Sequence, residues 1–203
     1  MKIVLATQNR GKLAEFQTIM PKQVEILPQQ AFTIPSIEET GLSFVENAIL
    51  KARHASYHSH LPAIADDSGL EVDALKGAPG IYSARYAGEQ ASAEDRVIKL
   101  LDELRDVDDN QRQARFCCVL VYLRHANDPT PIIAYGFLSG YIATAAKGTH
   151  GFGYDPILYL PAYQCTVAEL APEIKNTISH RANALQSLLK KLKHIIDKNL
   201  CTP

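Results

Sequence analysis

The chain has no long apolar run, no cysteine pair at metal or redox spacing, no excess of positive charge and no repeat. Each absence removes a class of function. No stretch approaches the roughly 18–20 apolar residues that a membrane-spanning helix needs, so no membrane role is expected. The opening Met1-Lys2-Ile3-Val4-Leu5-Ala6-Thr7 is too short and too soon interrupted for a signal peptide, and reads as a first strand. With 21 Lys and Arg against 22 Asp and Glu, the net charge is -1. A nucleic-acid surface normally carries a large basic excess, so no nucleic-acid partner is expected. A single mononucleotide, whose few charges one local site can meet, stays open. The four cysteines, Cys117, Cys118, Cys165 and Cys201, show no CxxC spacing and no secreted-type framework. Reduced thiols in a cytoplasmic protein are the expectation. Neither GxxxxGK[ST] nor GxGxxG occurs, so the chain has no P-loop and no dinucleotide fingerprint.

What is present is an ordinary globular composition over 203 residues, 46% hydrophobic and 21% charged, with no composition break to mark a domain boundary. Patterning predicts a strand over 3–7, a helix over 12–20 and a strand over 24–27. A helix over 43–58 follows, with Phe44, Ala48, Ala52 and Ala55 on one face and Ser43-x-x-Glu46 as a capping box. Strands are expected over 62–66 and 70–74, a helix over 93–104, then strands over 113–124, 131–137 and 140–145. The last helix carries the stripe Leu185, Leu188, Leu189, Leu192 and Ile195. Strands and helices mix without strict alternation, which favours an α/β or mixed α+β fold around a mixed sheet.

Five segments hold chemistry-bearing residues. Thr7-Gln8-Asn9-Arg10-Gly11-Lys12 sits at a strand end and a helix start, where free amides and the helix dipole favour an anion. It equally suits a plain turn capped by Thr7 or Asn9. Glu38-Glu39 and Asp66-Asp67 are acidic pairs; hard oxygen ligands suit Mg²⁺, and acids in loops also occur as solvated turns. Gly151-Phe152-Gly153-Tyr154-Asp155-Pro156 is either a platform for a flat base or a tight aromatic-anchored turn. In Ser179-His180-Arg181, Ser179 is a natural N-cap, but two cations in a first turn oppose the helix dipole. A bound anion or carbonyl oxygen would resolve that conflict. His54 and His58, spaced i, i+4, lack the glutamate and the further ligands of a zinc site.

Taken together, Thr7-x-Asn9-x-x-Lys12, Ala65-Asp66-Asp67-Ser68-Gly69-Leu70, Gly80-Ile81-Tyr82-Ser83-Ala84-Arg85, Phe152-Gly153-Tyr154-Asp155-Pro156 and Ser179-His180-Arg181 form an ordered set. Ser43-Phe44-Val45-Glu46-Asn47-Ala48 and Lys51-Ala52 fit alongside. In this order they resemble the inosine triphosphate pyrophosphatase family, and its bacterial dITP/XTP branch more closely, from about residue 2 to residue 193. The resemblance implies one domain over 1–203, an elongated two-lobed fold with a nucleotide cleft between the lobes, and a homodimer. It implies Mg²⁺-dependent hydrolysis of dITP, ITP and XTP to monophosphate and pyrophosphate.

By the same resemblance, Thr7, Gln8, Asn9, Arg10, Gly11 and Lys12 cradle the triphosphate, with Lys12 acting in catalysis. Glu38 and Asp67 hold Mg²⁺, and Asp67 is also the proton acceptor. Ser68 and Lys175 contact substrate, Phe152, Gly153, Tyr154 and Asp155 flank base and sugar, and His180 and Arg181 read the base. The departures are small: Lys147 stands where arginine is more frequent, and Leu158 where phenylalanine is common.

Overall fold

The computed structural model describes residues 1–200, leaving out the side chains of Arg10 and of 198–200. Seven strands form one mixed sheet in the order β2-β1-β3-β4-β5-β6-β7. They are β1 (Lys2–Ala6), β2 (Glu25–Pro28), β3 (Ala63–Val72), β4 (Gln113–Leu123), β5 (Ile132–Ile142), β6 (Leu158–Leu160) and β7 (Cys165–Thr166). The helices are α1 (Arg10–Ile19), α2 (Phe44–Ser59), α3 (Ala93–Glu103), α4 (Pro172–Ile178) and α5 (His180–Leu200). The mixed α+β class expected from the pattern is the one observed. Strand β1 runs parallel to β2 and to β3, whereas β6 is antiparallel to β5 and β7. No helix among the described residues is long and apolar enough to cross a membrane, and Cys117, Cys118 and Cys165 are free thiols.

The chain divides into two compact units. Unit 1 comprises residues 1–67, 118–136 and 181–203, and unit 2 comprises 68–117 and 137–180. The core of unit 1 packs Ile3, Leu5, Ile64, Leu120 and Tyr122 of the strands against Phe16 of α1 and Leu185, Leu188 and Leu192 of α5. Alternation along a strand sends the intervening side chains to the opposite face. There Val4, Ala63 and Ala65 are fully buried, as are Ala48 and Ala52 of the neighbouring helix α2. The core of unit 2 gathers Leu70, Val72, Leu100, Phe116, Ile157 and Leu158 around Tyr154.

Two expected breaks do not exist. The sequence places a turn at Asp67-Ser68-Gly69 and another at Leu138-Ser139, yet β3 and β5 run straight through both. Gly140 marks a close approach instead of a turn: a Cβ there would stand 2.3 Å from the Tyr159 carbonyl oxygen of the adjacent strand. The short elements β6, β7 and α4 carry too few residues to show a period, and the sequence pattern does not reveal them.

Because β3 continues, Asp66 and Asp67 project to opposite faces of the sheet. Asp66 is 2% exposed and points into the core of unit 1. Its Oδ1 pairs with Lys12 of α1. Its Oδ2 accepts from Arg181 Nε at 2.9 Å and from the Cys118 thiol at 3.2 Å. Arg181, also 2% exposed, makes a second ion pair with Glu15 of α1. Burial opposes charge on Asp66, but Lys12 and Arg181 outweigh it and hold the carboxyl well below the usual carboxylate range. The two carboxylates also resolve the conflict of a cation in the first turn of α5, since they supply the anions that the helix dipole lacks there. Removing one member of such a buried set leaves the others charged and unmatched. Asp66→Ala is therefore expected to destabilise the fold by about 3–5 kcal/mol in urea denaturation. A loss below about 1 kcal/mol, the scale of an exposed pair, would show that the cluster does not hold α1 and α5 to β3.

Candidate active site

On the other face of β3, Asp67 is 7% exposed, and its surroundings are acidic as well as basic. Lys51 Nζ of α2 lies 2.6 Å from Asp67 Oδ1 and 3.0 Å from Glu39 Oε1. One ammonium thus serves two carboxylates. Burial pushes the Asp67 carboxyl up from its ordinary value, Lys51 pulls it down, and Glu39 adds a further upward push. Lys51 pays a desolvation penalty that would lower its pKa, but Asp67 and Glu39 outweigh it and raise the value. Two neighbouring carboxyls in β3 are therefore displaced in opposite directions, one fully neutralised inside the core and one shared at its edge.

The carboxylate pair beside Lys51 fits a hard divalent cation. A position that draws one ammonium between two carboxylate oxygens draws a cation generally. Among the described residues no three His, Cys, Asp or Glu side chains converge as a self-sufficient metal cage. Mg²⁺ does not require one, because it commonly binds one or two carboxylates and completes its shell with phosphate oxygens and water. Glu38 is exposed and lies beside Glu39 on the loop before α2, so of the two it is Glu39 that meets Lys51. Lys51 was visible in the sequence only as part of a motif. The signal that would have singled it out is its register on α2, where one lysine interrupts a buried alanine face.

The Thr7–Lys12 segment takes up the capped-turn geometry. Asn9 is the N-cap of α1, its Oδ1 accepting from Gly11 N at 2.8 Å and Lys12 N at 3.2 Å. Thr7 Oγ1 in turn accepts from Asn9 N at 3.2 Å. Gln8 is exposed, and the Arg10 side chain lies outside the described residues. Lys12 reaches inward to Asp66, so its charge is held at the head of α1 by a buried partner.

In unit 2 the residues expected around the base form a second charged arrangement. Asp155 is 3% exposed; its Oδ2 accepts from Phe152 N at 2.8 Å and from Lys175 Nζ at 2.7 Å. Lys175 Nζ stands 4.8 Å from the centroid of the Phe152 ring, within cation–π range. The loop closes this tightly only because residue 151 is glycine. Its φ is +82°, and a Cβ there would lie 2.1 Å from Asp155 Oδ2. Phe152 itself is 44% exposed, so one face of a large ring is presented by a fixed backbone. Tyr154 is buried, and its hydroxyl donates to the Ser83 carbonyl at 3.0 Å. Ser83 Oγ accepts from Leu70 N at 2.9 Å, so the Gly80–Arg85 motif ties the end of β3 to the aromatic loop. Arg85 lies over the Tyr82 ring at 5.1 Å. Gly153 adopts a positive φ of 65° in the same loop.

His180, 8% exposed, stacks on Phe116 with centroids 4.8 Å apart and planes 27° apart. Ser179 precedes α5 in extended conformation, as a residue before a helix should. Ser68 follows Asp67 in β3 and is half-buried.

Comparison with known proteins gives a consistent result. Residues 3–191 match the model of the Ham1 family. The chain is 58% identical over 193 residues to a dITP/XTP pyrophosphatase of Thioalkalivibrio sulfidiphilus, covering 95% of this chain and 98% of that one. It is 56% identical over 194 residues to the dITP/XTP pyrophosphatase of Escherichia coli O157:H7, with the same coverage. Among solved structures, a HAM1 protein from Coxiella burnetii superposes with a TM-score of 0.90 at 49% identity, covering 96% of this chain and 99% of that one. With a family match over residues 3–191, relatives above half identity and a shared architecture, the chain belongs to the Ham1 family.

Proposed function

We propose that this protein hydrolyses dITP, ITP and XTP to the nucleoside monophosphate and pyrophosphate, with Mg²⁺ as cofactor. The observation that carries the chemistry is the sharing of Lys51 between Asp67 and Glu39 at the edge of β3. Burial shifts the Asp67 carboxyl upward against the pull of Lys51, and the ammonium beside it marks a place that attracts cations. The substrate class comes from the relatives, dITP/XTP pyrophosphatases more than half identical over nearly the whole chain.

In this reading Mg²⁺ would take the place of the Lys51 ammonium beside Asp67, held by Asp67 and by Glu38, which lies exposed next to Glu39 on the same loop, and would neutralise charge developing on the leaving pyrophosphate. Asp67 orients the attacking water and takes its proton; a carboxyl raised by burial is a better base near neutral pH than an exposed one. Thr7, Gln8, Asn9, Arg10 and Gly11 line the triphosphate, and Lys12 presents positive charge at the head of α1. Ser68 and Lys175 contact substrate. Phe152 offers its exposed face to the purine, with Gly153, Tyr154 and Asp155 fixing that face in place.

His180 and Arg181 read the base. Hypoxanthine and xanthine carry an acceptor oxygen at C6 where adenine carries a donor amine. A buried donor satisfied by the first and left unpaired by the second supports discrimination of about 10⁴. Arg181 suits such a task because Asp66 and Glu15 fix the orientation of its guanidinium.

The protein acts as a cytoplasmic homodimer. The dimer is what the family resemblance implies, and Phe137 and Tyr141, 40% and 37% exposed on one face of β5 with Arg115 4.6 Å over the Phe137 ring, are the side chains on which it is tested. Sedimentation at micromolar concentration is expected to show two chains per particle, and Phe137→Asp with Tyr141→Asp to show one. A wild-type monomer would overturn the dimer without touching the chemistry.

The deciding assay offers dITP, ITP, XTP, dATP, dGTP and dUTP with Mg²⁺ and detects pyrophosphate and orthophosphate separately. Pyrophosphate from the first three alone is expected, together with loss of turnover on chelation. Asp67→Asn is expected to fall by at least about 10²-fold in kcat while melting as the wild type does. Orthophosphate as product, or equal turnover of all six, would sink the assignment, and near-normal activity of Asp67→Asn would remove that residue from the mechanism.

A further inference from the structure

The loop that carries Glu38 and Glu39 has no regular secondary structure between Ile34 and Gly41. Its position rests on side chains of α2. At its far end Gly41 N donates to Asn47 Oδ1 at 2.8 Å, and Leu42 N donates to Glu46 Oε2 at 2.9 Å. Gly41 lies so close to the helix that a Cβ there would stand 2.6 Å from Glu46 Cβ and 2.7 Å from Asn47 Oδ1. In the middle, Glu39 meets Lys51. At the near end His54 Nε2 lies 2.9 Å from the Pro35 carbonyl oxygen. A carbonyl only accepts, so the Nε2 of His54 carries the proton.

Asn47, Lys51 and His54 are spaced four and three residues apart, which puts them on one stripe of the helix. That stripe is the ruler against which the acidic loop is laid. Of the three ties, the one through Lys51 engages the carboxylates themselves and changes when another cation competes for them. The end ties do not touch Glu38, Glu39 or Asp67. Asn47 also shows what such a tie costs: it is fully buried, and its Nδ2 has no hydrogen-bond partner among the described residues. An unpaired buried donor is unfavourable, and the amide that bears it is the one whose oxygen holds the Gly41 end of the loop.

We propose that His54 is a positioning residue for the metal-binding acids: by donating its Nε2–H to the Pro35 carbonyl it sets where Glu38 and Glu39 stand relative to Asp67. The inference rests on the reading of Glu38 and Asp67 as the metal pair and adds the residue that registers one against the other. It also gives His54 a task that needs neither His58 nor a metal on the histidines. The His54 and His58 rings meet edge to face at 4.5 Å, and no metal cluster exists among the described residues.

The experiment compares wild type, His54→Leu and His54→Gln, whose amide nitrogen can reach the same carbonyl. Manganese binding is titrated by electron paramagnetic resonance without nucleotide, and amide hydrogen exchange is followed over residues 36–40. His54→Leu is expected to bind Mn²⁺ at least about tenfold more weakly, the scale on which residues behind a metal ligand act. Exchange over 36–40 should rise, and kcat at saturating metal should stay within about twofold of wild type, because no group touching substrate has changed. His54→Gln should restore most of the affinity and protection. Gly41→Ala should weaken Mn²⁺ binding from the other end of the loop, so the idea stays testable if His54→Leu folds poorly. Wild-type affinity and exchange in His54→Leu would overturn the proposal, as would a His54→Gln variant no better than His54→Leu. A wild type that turns over nucleotide without any divalent ion would instead overturn the metal reading, while the exchange comparison still judges the latch.

Discussion

A carboxylate without access to water must be matched by cations brought from elsewhere in the chain, and Asp66 imposes that condition on unit 1. Its two oxygens face a lysine from α1 and an arginine from α5, with a thiol from β4 as a third donor. The two helices also share an apolar core with β3, and apolar packing is tolerant of small slides. Charge-assisted hydrogen bonds are directional, so the cluster removes that freedom. It fixes the head of α1, where Asn9 and Lys12 stand, and the head of α5, where Arg181 stands. The residues expected to touch phosphate and base are therefore oriented by an acid that itself faces neither solvent nor the opposite side of the sheet.

The neighbouring acid shows how far one residue of strand alternation can separate two roles. Asp66 is saturated with cations and held well below the ordinary carboxylate range. Asp67 shares a single ammonium with Glu39 and is raised. Side-chain identity is the same and the chain separation is one residue. The difference comes from which helix each face of β3 meets: α1 and α5 on one side, α2 on the other. Two carboxyls whose surroundings push them apart are the arrangement from which an acid or base of defined state is built.

The larger elements were legible because long apolar periods are robust. The Leu185–Ile195 stripe, the alanine face of α2 and the continuous apolar run of β4 each translate directly into a buried face. Local turn chemistry was the weaker guide. Asp67-Ser68-Gly69 has turn composition, but β3 is paired on its flanks, and the ladder overrides the local preference. The candidate site was legible as a set of residues and not as a set of contacts. Nothing in the order of the chain says that Lys12 pairs with Asp66, that Glu39 and not Glu38 meets Lys51, or that His54 reaches back to Pro35. Those pairings join residues from 12 to 54 positions apart, and only the packing of helices on the sheet decides them.

Unit 2 repeats the logic of Asp66 on a smaller scale. Asp155 is buried, and one of its oxygens binds both the Phe152 amide and the Lys175 ammonium. The ammonium in turn sits over the Phe152 ring. An exposed aromatic ring on a glycine-flanked loop would otherwise sample many orientations, because glycine leaves the backbone free. Here the carboxylate fixes the backbone on one side of the ring and the cation it holds restrains the ring itself. The glycine at 151 that admits Asp155 is thus what makes the loop rigid, since no other residue leaves room for the acid that locks it. In each unit, then, one buried acid, Asp66 or Asp155, fixes the position of the side chains and backbone around it through the cations it holds.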